Sequence, residues 1–305
     1  MSFDEIYDKY LLKPLTIIDG YRLKELNKFK KQLLISLALL LSFILSVSQD
    51  AIKLVSLVLL MSFLGLSATA INKLMRVMKV MKPRYKSAVI LPILKSMYSN
   101  IEYFPRQRIP IRILEESLLL KRPVHRTVGD DYVKCRIGDT LIQFSEIEAY
   151  QRKTMFYAGI FISVSFNKSF KTKTIIYPKN MSNRAHRFNL MMNKKMNKPT
   201  EITLEDPVFN NEYIVIAEDK VEARYILSTK LMQRLLEYKK LFSKDVSFSF
   251  INNTLYLSIP IRQDMFEPRT FKTVLDKEFI RKDYEYFKLL LSVVQELDLN
   301  TRIWV

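Results

Sequence analysis

Two stretches without a charged residue, Gln32–Gln49 (QLLISLALLLSFILSVSQ) and Leu54–Asn72 (LVSLVLLMSFLGLSATAIN), stand back to back with only Asp50, Ala51, Ile52 and Lys53 between them. A helix rises about 1.5 Å per residue, so uncharged runs of this length each approach the roughly 30 Å of a bilayer's hydrocarbon core. The pair reads as a transmembrane hairpin with a minimal turn. The competing reading, a buried hairpin in a soluble protein, fits less well because soluble core helices seldom run so far without a charge on some face. A cleaved signal peptide is a poor match, since the first run lacks a small-residue cleavage pattern and a second span follows it directly. Small residues let helices approach closely in lipid, so Ala38, Ser42 and Ser46 on one helix and Ser62, Gly65 and Thr69 on the other are the expected packing faces.

The flanks give an orientation. Arg22, Lys24, Lys28, Lys30 and Lys31 precede the first run with Glu25 as the single acid among them, and Lys73, Arg76, Lys79, Lys82, Arg84 and Lys86 follow the second with no acid. Lys and Arg beside spans favour the cytoplasmic side, which predicts two cytoplasmic termini and a large cytoplasmic domain after Lys86. Met75, Met78 and Met81 recur at three while Lys73, Arg76 and Lys79 recur on an adjacent face, the pattern of a helix continuing along a membrane surface.

About half of the 305 residues are apolar, the formal net charge is +18, and there are only five glycines. That composition excludes a low-complexity or disordered chain and leaves enough sequence after the hairpin for one sizeable core. The single cysteine, Cys135, excludes an internal disulfide and a cysteine-rich metal site, and its alternation with Val133 and Ile137 makes it a core strand residue.

Pro83 is expected to end or bend the helix after the second run. Tyr85 to Tyr98 reads as a helix interrupted or kinked near Pro92, and Ile111 to Leu120 as another. From Val128 the pattern becomes that of strands: Tyr132 to Ile137, a Gly138-Asp139 turn, a strand from Thr140, and a long strand with Ala158, Ile160, Ile162, Val164 and Phe166 on one face. With Phe170 to Tyr177 these predict a meander of about four antiparallel strands. Ser182 or Asn183 caps a short helix to about Met192, Tyr213 to Ile216 begins another strand, and Ser228 caps a helix to about Leu241. Asn252-Asn253 is a two-residue turn between Val246 to Ile251 and Thr254 to Ile259. A helix from about Lys277 to Leu297 closes the chain, with Phe279, Tyr286, Leu290, Val293 and Leu297 as its apolar stripe. The order points to an α+β fold, with helices on one side of a largely antiparallel sheet.

Ile137-Gly-Asp-Thr, Phe144-Ser145-Glu146, Tyr157 to Pro178, Leu204-Glu205-Asp206-Pro207-Val208-Phe209 and Val221-Glu222-Ala223-Arg224-Tyr225-Ile226-Leu227 together resemble a family of bacterial membrane proteins carrying a domain of unknown function. The similarity covers roughly Ile111 to Pro260. It implies two membrane helices before the domain and a gene neighbourhood that often includes LemA-type membrane proteins. It implies no reaction. Thr172 departs from the pattern, standing where a turn glycine is expected.

Between Ala149 and Thr200 there is no Asp or Glu but eleven basic residues: Arg152, Lys153, Lys168, Lys171, Lys173, Lys179, Arg184, Arg187, Lys194, Lys195 and Lys198. At a cytoplasmic leaflet such a segment is placed to meet anionic lipid or an acidic partner, with Lys171 and Lys173 alternating on one strand face. Nucleic acid would use the same charges with stacking on Phe156, Tyr157, Phe161, Phe166, Phe170 and Tyr177, but several of these aromatics share strand faces with Ile and Val, which favours core packing. His125 and His186 have no carboxylate or cysteine at ligand spacing, and Glu205-Asp206 and Glu218-Asp219 are adjacent acids that point apart. The first pair reads as a turn before Pro207 and the second as a helix cap, with Arg224 as an ion-pair partner for Glu222 or another acid. No glycine loop or nucleophile elbow is present.

The sequence therefore predicts an N-terminal cytoplasmic segment (1–31), a two-helix transmembrane hairpin (32–72), juxtamembrane and connecting helices (73–127) and a cytoplasmic α+β domain (128–305). The expected protein is a non-enzymatic inner-membrane protein of a bacterium, multi-pass, without catalytic residues, cofactor or metal. Its basic domain binds an anionic-lipid or membrane-protein partner through Lys73, Arg76, Lys79, Lys82, Arg152, Lys153, Lys168, Lys171, Lys173, Arg184 and Arg187. The alternatives are a membrane-tethered enzyme with scattered active-site residues and a small oligomeric channel, the latter disfavoured because the two helices offer no intramembrane ion ligand.

Overall fold

In the computed structural model, which describes residues 2–48, 53–165, 169–179, 195–242, 245–261 and 265–292, residues 32–48 and 54–72 of the uncharged runs lie on long helices. The first, α2 (Leu12–Ser48), is preceded by a short α1 (Phe3–Ile6) and a π-helical turn (Tyr7–Leu11). Its 37 residues amount to about 55 Å of helix, well beyond the length of the apolar run itself. The second, α3 (Lys53–Tyr85), carries Pro83 inside it rather than at its end. Proline removes one N–H from the ladder, here the one that would reach the Lys79 carbonyl, and the helix runs on through it; a π-helical turn, Lys86–Ile90, follows before α4 (Leu91–Met97). The proline therefore does not stop the helix.

The chain divides into two compact units, one of residues 1–96 and 266–284, the other of residues 97–265 and 285–305. The return of 266–284 to the first unit was not among the boundaries expected at 31, 72 and 127.

In the first unit α2 and α3 pair antiparallel through a seam of small polar side chains. Ser36 Oγ lies 2.6 Å from Ser67 Oγ, Ser46 Oγ lies 2.9 Å from Ser56 Oγ, and Gln32 binds the Thr69 hydroxyl. Ser36 is fully buried. The expected packing faces are corrected in part: Ser46 and Thr69 do meet the partner helix, but Ala38, Ser42, Ser62 and Gly65 are exposed. Below the seam, segment 266–284 is fastened to the helices by buried charge. Asp19 pairs with Arg22 at 2.8 Å and accepts the Val274 N–H at 3.0 Å and the Thr273 hydroxyl at 3.1 Å. Glu267 takes Lys82 at 2.6 Å and the buried Lys86 at 3.1 Å.

The second unit is built on a sheet that, among the described residues, has nine strands, all pairings being antiparallel. They are β1 (Glu102–Phe104), β2 (Arg126–Ile137), β3 (Thr140–Gln151), β4 (Thr154–Ser165), β5 (Thr174–Pro178), β6 (Thr200–Ile202), β7 (Tyr213–Ala217), β8 (Ser247–Ile251) and β9 (Thr254–Pro260), in the order β1-β2-β3-β4-β9-β8-β5-β7-β6. The Gly138-Asp139 and Asn252-Asn253 turns form as expected, with Gly138 and Asn252 at positive φ. The four-strand meander is corrected to three: the β8–β9 hairpin inserts between β4 and β5, so that β4 pairs with β9 and β5 with β8.

The one-sided cover is corrected as well, because β5, β8 and residues 159–164 of β4 are buried throughout. On one face lies the segment holding α5 (Ile111–Glu116): Leu114, Leu118 and Leu119 pack with Ile147, Phe161, Ile175 and Ile216. Tyr177 donates to the Leu118 carbonyl at 2.7 Å and Ser249 to that of Ser117 at 2.6 Å. On other strand positions Phe144 meets Phe287 of α9 (Lys277–Leu291), and Phe242 at the end of α8 (Thr229–Phe242) meets Tyr286. The buried stripe of α9 is Ile280, Phe287, Leu290 and Leu291, so Leu290 of the expected stripe is buried as predicted, while Phe279 and Tyr286 are half-buried and their next neighbours Ile280 and Phe287 take the core positions. The helix capped by Ser182 or Asn183, together with Phe166, Val293 and Leu297, falls outside the described residues.

Candidate functional site

On α3, Arg76 and Lys79 are exposed beside the equally exposed Met75 and Met78, but Met81, the third methionine of the expected surface face, is buried in the first unit. The other two residues expected there are engaged in the protein: Lys73 donates to Gln32 Oε1 at 3.1 Å, and Lys82 pairs with Glu267.

The acid-free segment does not form one surface. Arg152 and Lys153 make the β3–β4 turn, both exposed, with Arg152 at φ 55. Lys171 and Lys173 lie beyond the other end of β4, a strand whose 12 residues span on the order of 36 Å. They stand in a bend before β5 rather than on a strand face, and two glutamates hold that bend. The Glu222 carboxylate accepts the Lys171 N–H at 2.8 Å, the Thr172 N–H at 2.7 Å and the Thr172 hydroxyl. The Glu218 carboxylate accepts the Lys173 N–H at 2.9 Å and the Asn197 N–H at 2.7 Å. Thr172 thus contributes a side-chain donor that glycine would lack. Lys168, Arg184 and Arg187 lie outside the described residues.

Both glutamates are aimed by their helix start. Asp219 caps α7 (Lys220–Ile226), accepting the Val221 N–H at 2.6 Å, as its position before the helix predicts. Asp206 likewise caps α6 (Pro207–Glu212). Arg224 is not Glu222's partner; its guanidinium donates to the Thr203 carbonyl at 3.4 Å. Replacing Glu222 with alanine is expected to leave the bend's amides without acceptors, costing about 1–3 kcal/mol, and to speed tryptic cleavage after Lys171 and Lys173, read by mass spectrometry of the full chain.

Folding brings Arg152 and Lys153 to residues outside the acid-free segment. Arg126 lies opposite Tyr150, and Tyr150 opposite Met155, so one row crosses β2, β3 and β4. The Arg126 guanidinium stands 4.4 Å from the Tyr150 ring centre, and Tyr150 donates to Glu148 at 2.6 Å. His125 Nδ1 accepts the Arg152 N–H at 3.2 Å, and its own N–H reaches the Tyr150 carbonyl at 2.9 Å. Sequence reasoning missed this corner because it looked for an unbroken acid-free run, whereas the register of three strands assembles the corner; Arg126 beside a strand start was the available signal.

Cys135 is buried, and desolvation pushes its thiol up to about 11, consistent with a core residue. The carboxylates Asp130, Asp131 and Glu146 have oxygens within 4.8 Å of one another, the arrangement among the described residues that could share a cation, although Tyr103 donates to Asp131 and the Met265 N–H to Glu146 at 3.3 Å. A cleft of about 690 Å³ lies among Val208, Glu212, Leu236, Lys239 and Pro260, where Lys239 is held at 2.7 Å from Glu212 and 3.6 Å from Asp245.

The architecture is thus that of two long apolar helices joined to an α+β unit with an antiparallel sheet. Residues 155–299 match the family described as "Protein of unknown function (DUF3137)", so a DUF3137 domain lies there, beginning within β4 and reaching past the Ile111–Pro260 range of the sequence resemblance. No curated protein matches the chain. Among solved structures, the crystal structure of the mycobacterial trehalose monomycolate transport factor A, TtfA, aligns at 12% identity and a TM-score of 0.38, over 69% of this chain and 94% of that one.

Proposed function

We propose that this is a bacterial inner-membrane protein anchored by the α2–α3 hairpin, both termini cytoplasmic, whose DUF3137-containing part binds an anionic-lipid or membrane-protein partner at the inner leaflet without catalysis of its own. One observation carries the anchoring: the hairpin is apolar outside and polar inside. Only 6% of the most apolar window of the first helix and 11% of that of the second are buried, while Ser36, Ser46, Ser56, Ser67 and Gln32 face the seam. Core helices of soluble proteins show the opposite arrangement. Side chains such as Leu34, Leu41, Leu57 and Met61 are more than half exposed, and moving each from water into hydrocarbon is favourable by about 1.5–3 kcal/mol. Polar pairs at the seam suit helix association in lipid, where apolar contact provides no driving force between helices.

The orientation rests on the charges at the cytoplasmic ends, of which Arg76 and Lys79 remain exposed for anionic headgroups. The anchoring predicts that the chain stays in the membrane pellet after alkaline carbonate extraction of cells and enters the detergent phase. Release into the carbonate supernatant would refute it.

A further inference from the structure

We propose that the sheet corner formed by the Arg126–Tyr150–Met155 row and the Arg152–Lys153 turn is a docking face for the anionic leaflet of a bilayer. This rests on the membrane reading above and narrows it to one surface of the sheet unit.

Three observations select this corner. Among the described residues, Arg126, Arg152 and Lys153 are exposed and none makes an ion pair with a carboxylate, and Arg122, also exposed, lies three residues before His125. Several other basic side chains of the expected surface are engaged instead: the Lys173 ammonium lies 4.0 Å from Glu218 and donates to the Lys195 carbonyl, Lys82 pairs with Glu267, and Lys73 donates to Gln32. Second, the corner carries large apolar side chains that water does not favour: Met155 is 47% and Val128 43% exposed. Val128 stands two residues from Arg126 on β2, hence on the same face, and Met155 is cross-strand from Tyr150.

Third, the mixture distinguishes among anionic partners. Apolar side chains ringed by cations, with an aromatic hydroxyl beside them, match a headgroup layer, which presents phosphate at its surface and hydrocarbon just below. A free phosphate would use the cations and leave Met155 and Val128 in water. A nucleic-acid strand would need open aromatic faces, and the Tyr150 ring is already stacked under Arg126.

Acidic groups do approach the corner. Glu148 is opposite Val128, and its carboxylate accepts the Tyr150 hydroxyl. Asp130 and Glu146 are opposite each other four residues from Arg126 along β2, roughly 13 Å away and beyond a Debye length at physiological salt. The corner therefore keeps a local excess of positive charge.

The test uses the full chain in lipid nanodiscs, with Met155→Cys carrying an environment-sensitive fluorophore; Cys135, buried and unreactive, is left in place. Over phosphatidylcholine mixed with phosphatidylglycerol the label's emission is expected to shift to the blue, and high salt to reverse the shift. Over phosphatidylcholine alone no shift is expected, nor on adding inorganic phosphate or single-stranded DNA. Arg126→Glu, Arg152→Glu and Lys153→Glu together should abolish the shift while circular dichroism stays unchanged. The equally charged Lys171→Glu, Lys195→Glu, Lys220→Glu variant should retain it. An emission identical in both lipids, with the chain embedded, overturns the docking face and leaves the anchoring intact. A chain that does not embed at all overturns both. A response to DNA or phosphate without one to phosphatidylglycerol overturns the lipid assignment.

Discussion

Gly159→Ala is expected to disrupt the sheet at its central joint. A Cβ at this position would lie 2.1 Å from the Ile259 carbonyl oxygen, 2.9 Å from the Ile261 nitrogen and 2.9 Å from the Pro260 Cα, all backbone atoms that no rotamer change can move. Gly159 is paired with Pro260, and the neighbouring Ile261 N–H to Ala158 carbonyl bond, 3.0 Å, would be forced apart. The β4–β9 pairing is also where the β1–β4 strands meet the other five. Overpacking ordinarily costs 1–3 kcal/mol and more when backbone must shift, so a loss above about 3 kcal/mol is expected. Chemical denaturation of the full chain in detergent, followed by circular dichroism, reads it directly. A midpoint equal to that of the native chain would mean that β9 does not lie against β4 at this residue.

The second large effect concerns the buried ion pair of the first unit. Arg22→Met keeps the length of the side chain but leaves Asp19 charged, buried and short of a partner. Removing one member of a buried pair typically costs 3–5 kcal/mol, and a loss of about that size is expected. Asp19→Asn in the same chain should recover much of it, since no uncompensated charge then remains, and that recovery separates charge from simple loss of packing. Burial alone would raise the Asp19 carboxyl's pKa, but the hydrogen bonds from Arg22, the Val274 N–H and Thr273, with the Arg22 charge, outweigh it and hold the carboxyl below its ordinary value. A depressed folded-state pKa stabilises fully above the unfolded value near pH 4 and fades as pH falls through the lower folded value. Native-chain stability should therefore drop below about pH 4, and the part due to Asp19 should be missing in Asp19→Asn.

What the sequence disclosed depended on how local its physical cause was. The helices over the apolar runs, the Gly138-Asp139 and Asn252-Asn253 turns and the Asp219 and Ser228 helix starts are fixed by residues within a few positions, and they stand where the pattern puts them. Gly159 inside a strand signals a close backbone approach, though not to which strand. The placement of β9 beside β4 rather than β5 is set by pairing across about a hundred residues, which alternation along one strand cannot encode. The strands β1 and β6, of three residues each, are too short to show a period. Segment 266–284 joins the helices through Glu267, Thr273 and Val274, groups that look like ordinary loop residues until Asp19 and Lys86 are found against them.

The surface charges show the same limit. An acid-free run identifies where repulsive carboxylates are absent in sequence, yet Glu218 and Glu222 are brought onto Lys171 and Lys173 from elsewhere. Conversely Arg126 joins Arg152 and Lys153 only through strand register.

The proposed anchoring puts the outer faces of α2 and α3 against lipid while their seam stays closed. Spin labels on Leu41→Cys and Leu57→Cys, in the full chain reconstituted into liposomes, compare access by lipid-soluble oxygen with access by an aqueous nickel complex. Strong relaxation by oxygen and almost none by nickel is expected at both positions, in contrast to a label on Lys28→Cys, which nickel should reach. Free access of nickel to Leu41→Cys and Leu57→Cys would place the hairpin in water and contradict the account.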